Sequence, residues 1–143
     1  MIKSYTGKLD IGVERKINLS TNNGLLGYKI KKFMIMGNTP SVGDQTYVAK
    51  ITSIPDTNIG PAVDLGDKTL LAVVYYQDNP ASAYPSSADI IIDTTLVNQD
   101  IFINITSPTG TTIQCNYYFE LEQINLNKDQ ALVSTIKNLR NEQ

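Results

Sequence analysis

The sequence contains no histidine and no tryptophan, and Cys115 is its single cysteine. Without histidine, the commonest general base and the commonest transition-metal ligand are both missing. This excludes a Ser-His-Asp or Cys-His catalytic arrangement, and one cysteine without histidine excludes an ordinary zinc site. An internal disulfide is also excluded, and the position of Cys115 in an apolar alternation predicts a buried free thiol.

Basic runs and long apolar runs are also lacking. The 143 residues include 12 basic and 14 acidic side chains, and no run of lysine or arginine occurs. We therefore expect no direct nucleic-acid binding, which usually requires a basic arm or patch. No apolar run approaches the roughly 18 residues of a membrane-spanning helix, and the first residues lack a signal-peptide pattern. We expect no transmembrane segment and an intracellular origin.

The clearest pattern that is present runs from Asp100 to Ile124. Apolar residues occupy every second position in two arms, which places them on one face of each strand. These residues are Ile101, Ile103 and Ile105, then Ile113, Cys115, Tyr117, Phe119 and Leu121. The turn sequence from Ser107 to Gly110, with proline and glycine at favoured positions, joins the arms. The sequence therefore predicts a β-hairpin with one apolar and one polar face.

Six further strands are predicted by alternation and by intervening turn residues. They are residues 2–9, 13–19, 28–36, 45–54, 69–77 and 88–97. About eight strands with uneven loops predict an all-β, two-sheet antiparallel sandwich, and the jelly roll is the leading topology. An immunoglobulin-like sandwich is the alternative, although its buried tryptophan and disulfide pair are missing. An up-and-down barrel fits less well because the loops are unequal.

The hydrophobic period changes after Leu126. Asn127 is a suitable helix cap, and Leu132, Ile136 and Leu139 follow at helical spacing. We predict a short C-terminal helix, so that residues 1–126 form the sandwich and residues 127–143 form a helical extension. The apolar stripe of this helix packs either on its own sandwich or on a neighbouring subunit, and we favour the neighbour.

The absence of histidine leaves only rarer nucleophile chemistries, and carboxylates remain. Glu120 and Glu122 share a strand face at roughly 7 Å, a spacing that a glycosidase pair can have, but a solvated face or a subunit contact is the simpler interpretation. Asn58, Asp64 and Asp67 share a loop that could bind calcium, yet their spacing matches no EF-hand. We predict no catalytic residues, no cofactor and no metal site, and we expect that the protein is not an enzyme.

Exposed apolar side chains indicate contact with partners, because aromatic residues are favoured in interface cores. One group lies on the outer sides of the two arms and in a loop, and the other follows the C-terminal stripe. The predicted interface residues are Phe102, Tyr118 and Tyr84, together with Leu132, Ile136 and Leu139.

The pattern as a whole resembles small single-jelly-roll virion proteins. The residues that carry the resemblance are TLLAVVYYQ at 69–77, ADIIIDTTLVNQDIFINITSPTG at 88–110 and TTIQCNYYFELEQI at 111–124. The resemblance implies a non-enzymatic capsid, minor capsid or vertex protein, made in the host cytoplasm and located in the virion. Its implied partners are itself, as a homo-oligomer, and other capsid proteins. The missing basic arm departs from shell proteins that bind the genome, and a bacteriophage origin is consistent with the pattern.

Two other classes stay open. A carbohydrate- or receptor-binding sandwich would use the long loops at 55–68 and 78–87, where recognition residues often lie. Sugar stacking would then depend on tyrosine, from among Tyr47, Tyr75, Tyr76 and Tyr84. An enzyme is the least favoured class, and it would depend on Glu120.

Overall fold

The structure is a computed structural model that describes residues 1–19, 25–39, 45–56, 59–78, 86–92, 96–127, 132–133 and 136. Within these residues the chain forms eight β-strands, as the alternation predicts. The strands are β1 (Ile2–Leu9), β2 (Glu14–Ile17), β3 (Leu26–Gly37), β4 (Gln45–Thr52), β5 (Leu70–Asp78), β6 (Ser86–Ile91), β7 (Ile101–Thr106) and β8 (Cys115–Asn125).

The strands form two antiparallel sheets that pack as a sandwich. The three-stranded sheet has the order β1-β8-β3, and the five-stranded sheet has the order β2-β7-β4-β5-β6. The pairing is nested, because β1 pairs with β8, β2 with β7 and β4 with β5. This nesting is consistent with the predicted jelly roll, although β3 pairs with β8 and not with β6. The sixth strand pairs with β5 and lies beside β3.

The predicted hairpin between Asp100 and Ile124 is wrong. Its arms, β7 and β8, do not pair with each other, because β7 lies between β2 and β4 while β8 lies between β1 and β3. The turn at Pro108 and Thr109 is present, and Gly110 has a φ of 81°, which favours glycine. The segment after it crosses from one sheet to the other. Alternation specifies which side of a strand is buried, but it does not specify the neighbouring strand.

The predicted inner faces of these arms are confirmed except at Ile113, which is half-buried and precedes β8. Ile103, Ile105, Cys115 and Phe119 are fully buried. Phe119 stacks on Tyr5 at 5.0 Å between ring centroids and on Tyr117 at 5.9 Å, and it meets the edge of Phe33 at 6.4 Å. The core between the sheets is therefore centred on an aromatic cluster.

Cys115 is the buried free thiol that the sequence predicts. Burial raises its pKa to about 12, and Sγ donates a hydrogen bond to the Met36 carbonyl at 3.6 Å. The thiol is therefore protonated and unreactive at neutral pH.

The predicted polar face of the first arm is not solvated. Asn104 and Thr106 are buried on the outer side of the five-stranded sheet, where β4 has no exposed residue in its whole length. A second small core of Val48, Leu70 and Val73 lies on this side. The loop between β4 and β5 covers part of this side, because Ala62 and Asp64 of the loop line a cleft together with Lys50 and Leu70. Its two ends are joined by a hydrogen bond from Ser53 N to the Thr69 carbonyl at 2.9 Å. Both faces of β4 are therefore packed.

The C-terminal extension falls largely outside the described residues. Asn127, Leu132, Val133 and Ile136 are described, and the last three have helical backbone. Three separate residues do not establish the predicted helix. Their side chains are exposed, at 60% for Leu132, 52% for Val133 and 47% for Ile136.

Candidate functional site

The outer side of the three-stranded sheet, which we call the open face, has apolar side chains at one end. Met34 lies opposite Tyr118 and Met36 lies opposite Asn116. The two methionines are 51% and 53% exposed, and Tyr118 is half-buried. The Tyr118 hydroxyl donates to Glu120 Oε2 at 2.5 Å, which raises the pKa of Tyr118. Solvent-exposed methionine beside tyrosine forms a patch suited to contact with another protein.

The other end of the open face is charged. Lys29 lies opposite Glu122 and Lys32 lies opposite Glu120, while Lys31 occupies a register shift between Ile30 and Lys32. Lys31 Nζ is 3.0 Å from Glu122 Oε2, and this hydrogen-bonded ion pair lowers the pKa of Glu122. A general acid at neutral pH requires a raised pKa. Glu122 is therefore poorly suited to the acid role of a glycosidase pair.

A cleft of about 410 Å³ lies between the outer side of the five-stranded sheet and the loop that covers it. We call it the loop cleft. Lys50 on β4 lines it, together with Asp56, Asp64 and Asp67 of the loop. This part of the chain is the first of the two long loops that the sequence predicts to carry recognition. Most of the second, between residues 78 and 87, lies outside the described residues.

The carboxylates of the predicted calcium loop bind their own backbone. Asp64 Oδ1 accepts a hydrogen bond from Gly66 N at 2.9 Å, and Asp67 Oδ1 accepts from Thr69 N at 2.9 Å and from its hydroxyl at 2.7 Å. Asn58 lies outside the described residues. Across the described part of the chain, no group of three or more acidic or cysteine side chains is arranged to hold a metal.

Beneath the loop, three polar side chains form a row across β2, β7 and β4. Asn104 lies directly opposite Glu14 on one side and opposite Lys50 on the other. Asn104 is fully buried, and neither its Oδ1 nor its Nδ2 has a hydrogen-bond partner. Lys50 is 9% exposed, and its side chain forms no hydrogen bond or ion pair with any described residue. Glu14 Oε2 accepts from Asp56 N at 2.8 Å, which ties the loop down at this point.

A second groove, of about 530 Å³, adjoins Phe102. Lys16 and Asp100 line it with Pro55, and Lys16 Nζ is 3.2 Å from Asp100 Oδ2. Phe102 itself is half-buried.

The predicted interface residues lie in different parts of the molecule. Tyr118 is on the open face, whereas Phe102 is on the outer side of the other sheet. Leu132 and Ile136 are exposed, and Tyr84 and Leu139 lie outside the described residues. Their role in contacts with partners stays a prediction.

Sequence reasoning missed the row of Glu14, Asn104 and Lys50. The three residues are distant along the chain, and no spacing relates them. For sugar stacking, Tyr47 and Tyr76 are wrong candidates because they are buried in the core, at 0% and 7% exposure, whereas Tyr75 is 36% exposed. Tyrosine at an alternating position did not distinguish a core ring from a surface ring.

No family model, no curated protein and no solved structure matches this chain. Within the described residues, no helix has the length and apolar character needed to span a membrane.

Proposed function

We propose that this chain is a virion structural subunit that self-assembles through its open face and its C-terminal extension. The observation that carries the proposal is the open face itself: an otherwise complete sandwich leaves Met34 and Met36 half-exposed beside Tyr118. Exposed apolar patches on a folded domain commonly mark contacts with other proteins. The virion assignment rests on the resemblance in sequence pattern, and the nested strand pairing is consistent with it.

A second copy of this chain is the partner that fits the open face best. The charged end carries both signs in facing pairs, Lys29 with Glu122 and Lys32 with Glu120. In a two-fold contact, each copy presents the same surface to the other, so that lysines of one copy can meet glutamates of its partner. A surface of mixed sign is thus complementary to itself.

The C-terminal extension supplies apolar groups for the same contact. It follows β8, the central strand of the sheet that bears the open face. Leu132, Val133 and Ile136 are exposed on their own chain, and covering them on a neighbour would remove apolar surface from water. We expect the extension of one copy to pack on the open face of another copy. This contact would cover both exposed surfaces.

Light scattering across a concentration series tests this proposal. The wild-type protein is expected to form a discrete oligomer, and the double variant Met34→Glu/Met36→Glu is expected to be a monomer. Truncation after Leu126 is expected to reduce the oligomer in the same way. Val63→Glu is the matched control, because Val63 is also exposed, at 46%, but lies in the loop between β4 and β5. A monomeric wild type at every concentration contradicts the proposal.

A recognition module is the second candidate, and the loop cleft favours it. Acidic side chains beside a lysine provide acceptors and a donor for a polar ligand such as a carbohydrate. Binding on a glycan array that is lost in Asp67→Ala, while Val63→Ala retains it, would support this function. The absence of glycan binding by the wild-type protein would count against it.

A further inference from the structure

The row of Glu14, Asn104 and Lys50 includes one amide that is costly to bury. An amide without hydrogen bonds loses its hydration with no compensation. Asn104 is such an amide, fully buried and without a hydrogen-bond partner, and it lies directly opposite Lys50, which is 9% exposed and lines the loop cleft. Such an arrangement requires a physical reason.

The positions of Lys50 and Asn104 also bring the lysine amine within reach of the asparagine side chain. Direct cross-strand partners have Cβ atoms about 4.5–5.5 Å apart. Lysine carries its amine on a flexible four-carbon stem, which is long enough to return to the side chain opposite. Both residues face the same side of the five-stranded sheet, because their sequence neighbours Ala49, Ile51 and Ile103 face the core.

We propose that Lys50 and Asn104 react to form an intramolecular isopeptide bond, with Glu14 transferring the protons. The unprotonated Lys50 amine attacks Asn104 Cγ, forming the Nζ–Cγ bond. The Cγ–Nδ2 bond then breaks, and Nδ2 leaves as ammonia. Lysine amines are established nucleophiles when a base is adjacent, and holding the two groups together favours the reaction over its bimolecular equivalent.

Glu14 is positioned for the proton transfers because it lies opposite Asn104 on the other side. Its carboxylate accepts a proton that the attacking nitrogen loses and returns it to the departing Nδ2, so that atoms and charge balance without any further reactant. The hydrogen bond from Asp56 N holds this carboxylate beneath the loop. Asn104 itself is fully buried, which limits attack on its Cγ by water, the competing nucleophile.

The product removes the unpartnered primary amide in one step. A neutral secondary amide replaces the Lys50 amine and the primary amide of Asn104. The new bond links β4 to β7, which are already neighbours through five residue pairs. The inference is independent of the proposed self-assembly, because it concerns one chain alone.

Intact mass of the denatured, purified full chain is the direct test. The wild-type protein is expected to have the mass of its sequence less one ammonia. Lys50→Arg and Glu14→Gln are expected to have their full sequence masses, while the matched control Lys32→Arg, at an exposed lysine of the other sheet, retains the loss. A wild-type protein with its full sequence mass overturns the proposal, whether or not the variants fold.

Peptide mapping after trypsin separates this bond from other routes to the same mass. The cross-link is expected to give one branched peptide that contains Lys50 and Asn104, with no cleavage after Lys50. Cyclisation of Asn104 onto its own backbone also releases ammonia, but it leaves Lys50 cleavable and yields only linear peptides. Linear peptides alone would therefore overturn the proposal even if the mass loss is present.

Discussion

The two sheets use their outer sides differently. On the three-stranded sheet the outer side is open, and residues of β8 alternate between buried and half-buried along most of the strand. On the five-stranded sheet a loop covers the outer side, and β4 is buried at all eight positions. The comparison shows that a period of two in exposure requires one solvated side. Where a loop supplies a second core, the exposure pattern disappears although the strand geometry is unchanged.

The largest expected effect on stability comes from a substitution in the core between the two sheets. Phe119→Ala should lower the free energy of unfolding by about 3–5 kcal/mol, because it removes a fully buried ring that contacts three other rings. Glu120→Ala, its neighbour on the open face, should change it by less than about 0.5 kcal/mol. Urea unfolding of both variants measures the difference. Equal losses would mean that the register of β8 is wrong.

The next effect distinguishes the two outer sides directly. Leu70→Ala should cost about 2–3 kcal/mol, because Leu70 is 4% exposed in the small core beneath the loop. Met36→Ala on the open face should cost less than about 0.5 kcal/mol in the monomer. Thermal unfolding at low protein concentration gives both values. A Leu70→Ala variant as stable as Met36→Ala would show that the loop does not cover this side in solution.

A smaller effect tests the contact between the sheets at their edge. A Cβ at Gly7 would meet the Tyr117 ring, whose hydroxyl accepts a hydrogen bond from Arg15 Nη1 at 3.1 Å. Gly7→Ala should therefore cost about 1–2 kcal/mol through displacement of this ring. Ser4→Ala is the control, since Ser4 lies on the same strand but is exposed. If calorimetry finds the two variants equally stable, the ring is not held where the structure has it.

The smallest effect on stability at neutral pH comes from the titration of two buried groups in the core between the sheets. Burial raises the pKa of Cys115 from 9.0 to about 12 and that of Tyr47 from 10.0 to about 12. The unfolded chain therefore loses these protons first, so stability is fully present below pH 9 and declines as the pH rises toward 12. Denaturant midpoints measured from pH 7 to 11 should show this decline. Cys115→Ala should begin to decline at a higher pH than the wild type, and an identical onset would contradict the assignment.

Two of the expectations drawn from the sequence were incompatible with each other. A jelly roll alternates its last strands between sheets, whereas the predicted hairpin placed β7 and β8 side by side. The fold has the nested pairing, and Pro108 and Gly110 form a turn within a crossing between sheets. Turn residues specify a change of direction, but the distance between the strands that follow depends on the rest of the core.

The candidate sites differ in the same way, because one has a signal in the sequence and the other has none. Met34 and Met36 had a visible signal, because the run from Phe33 to Met36 is apolar on both sides of a strand. Glu14, Asn104 and Lys50 had none, since they belong to three strands separated along the chain. Their polar character predicts exposure, and only the covering loop reverses that expectation.

The sequence by itself determined which segments are strands and which of their side chains face the core. It could do so because these properties follow from local alternation, as Ile101, Ile103 and Phe119 illustrate. Only the tertiary structure decided which strands are neighbours, which outer side is covered, and that Lys50 lies opposite Asn104 beneath a loop. Those features depend on contacts between residues distant along the chain, and the competing arrangements have the same local pattern.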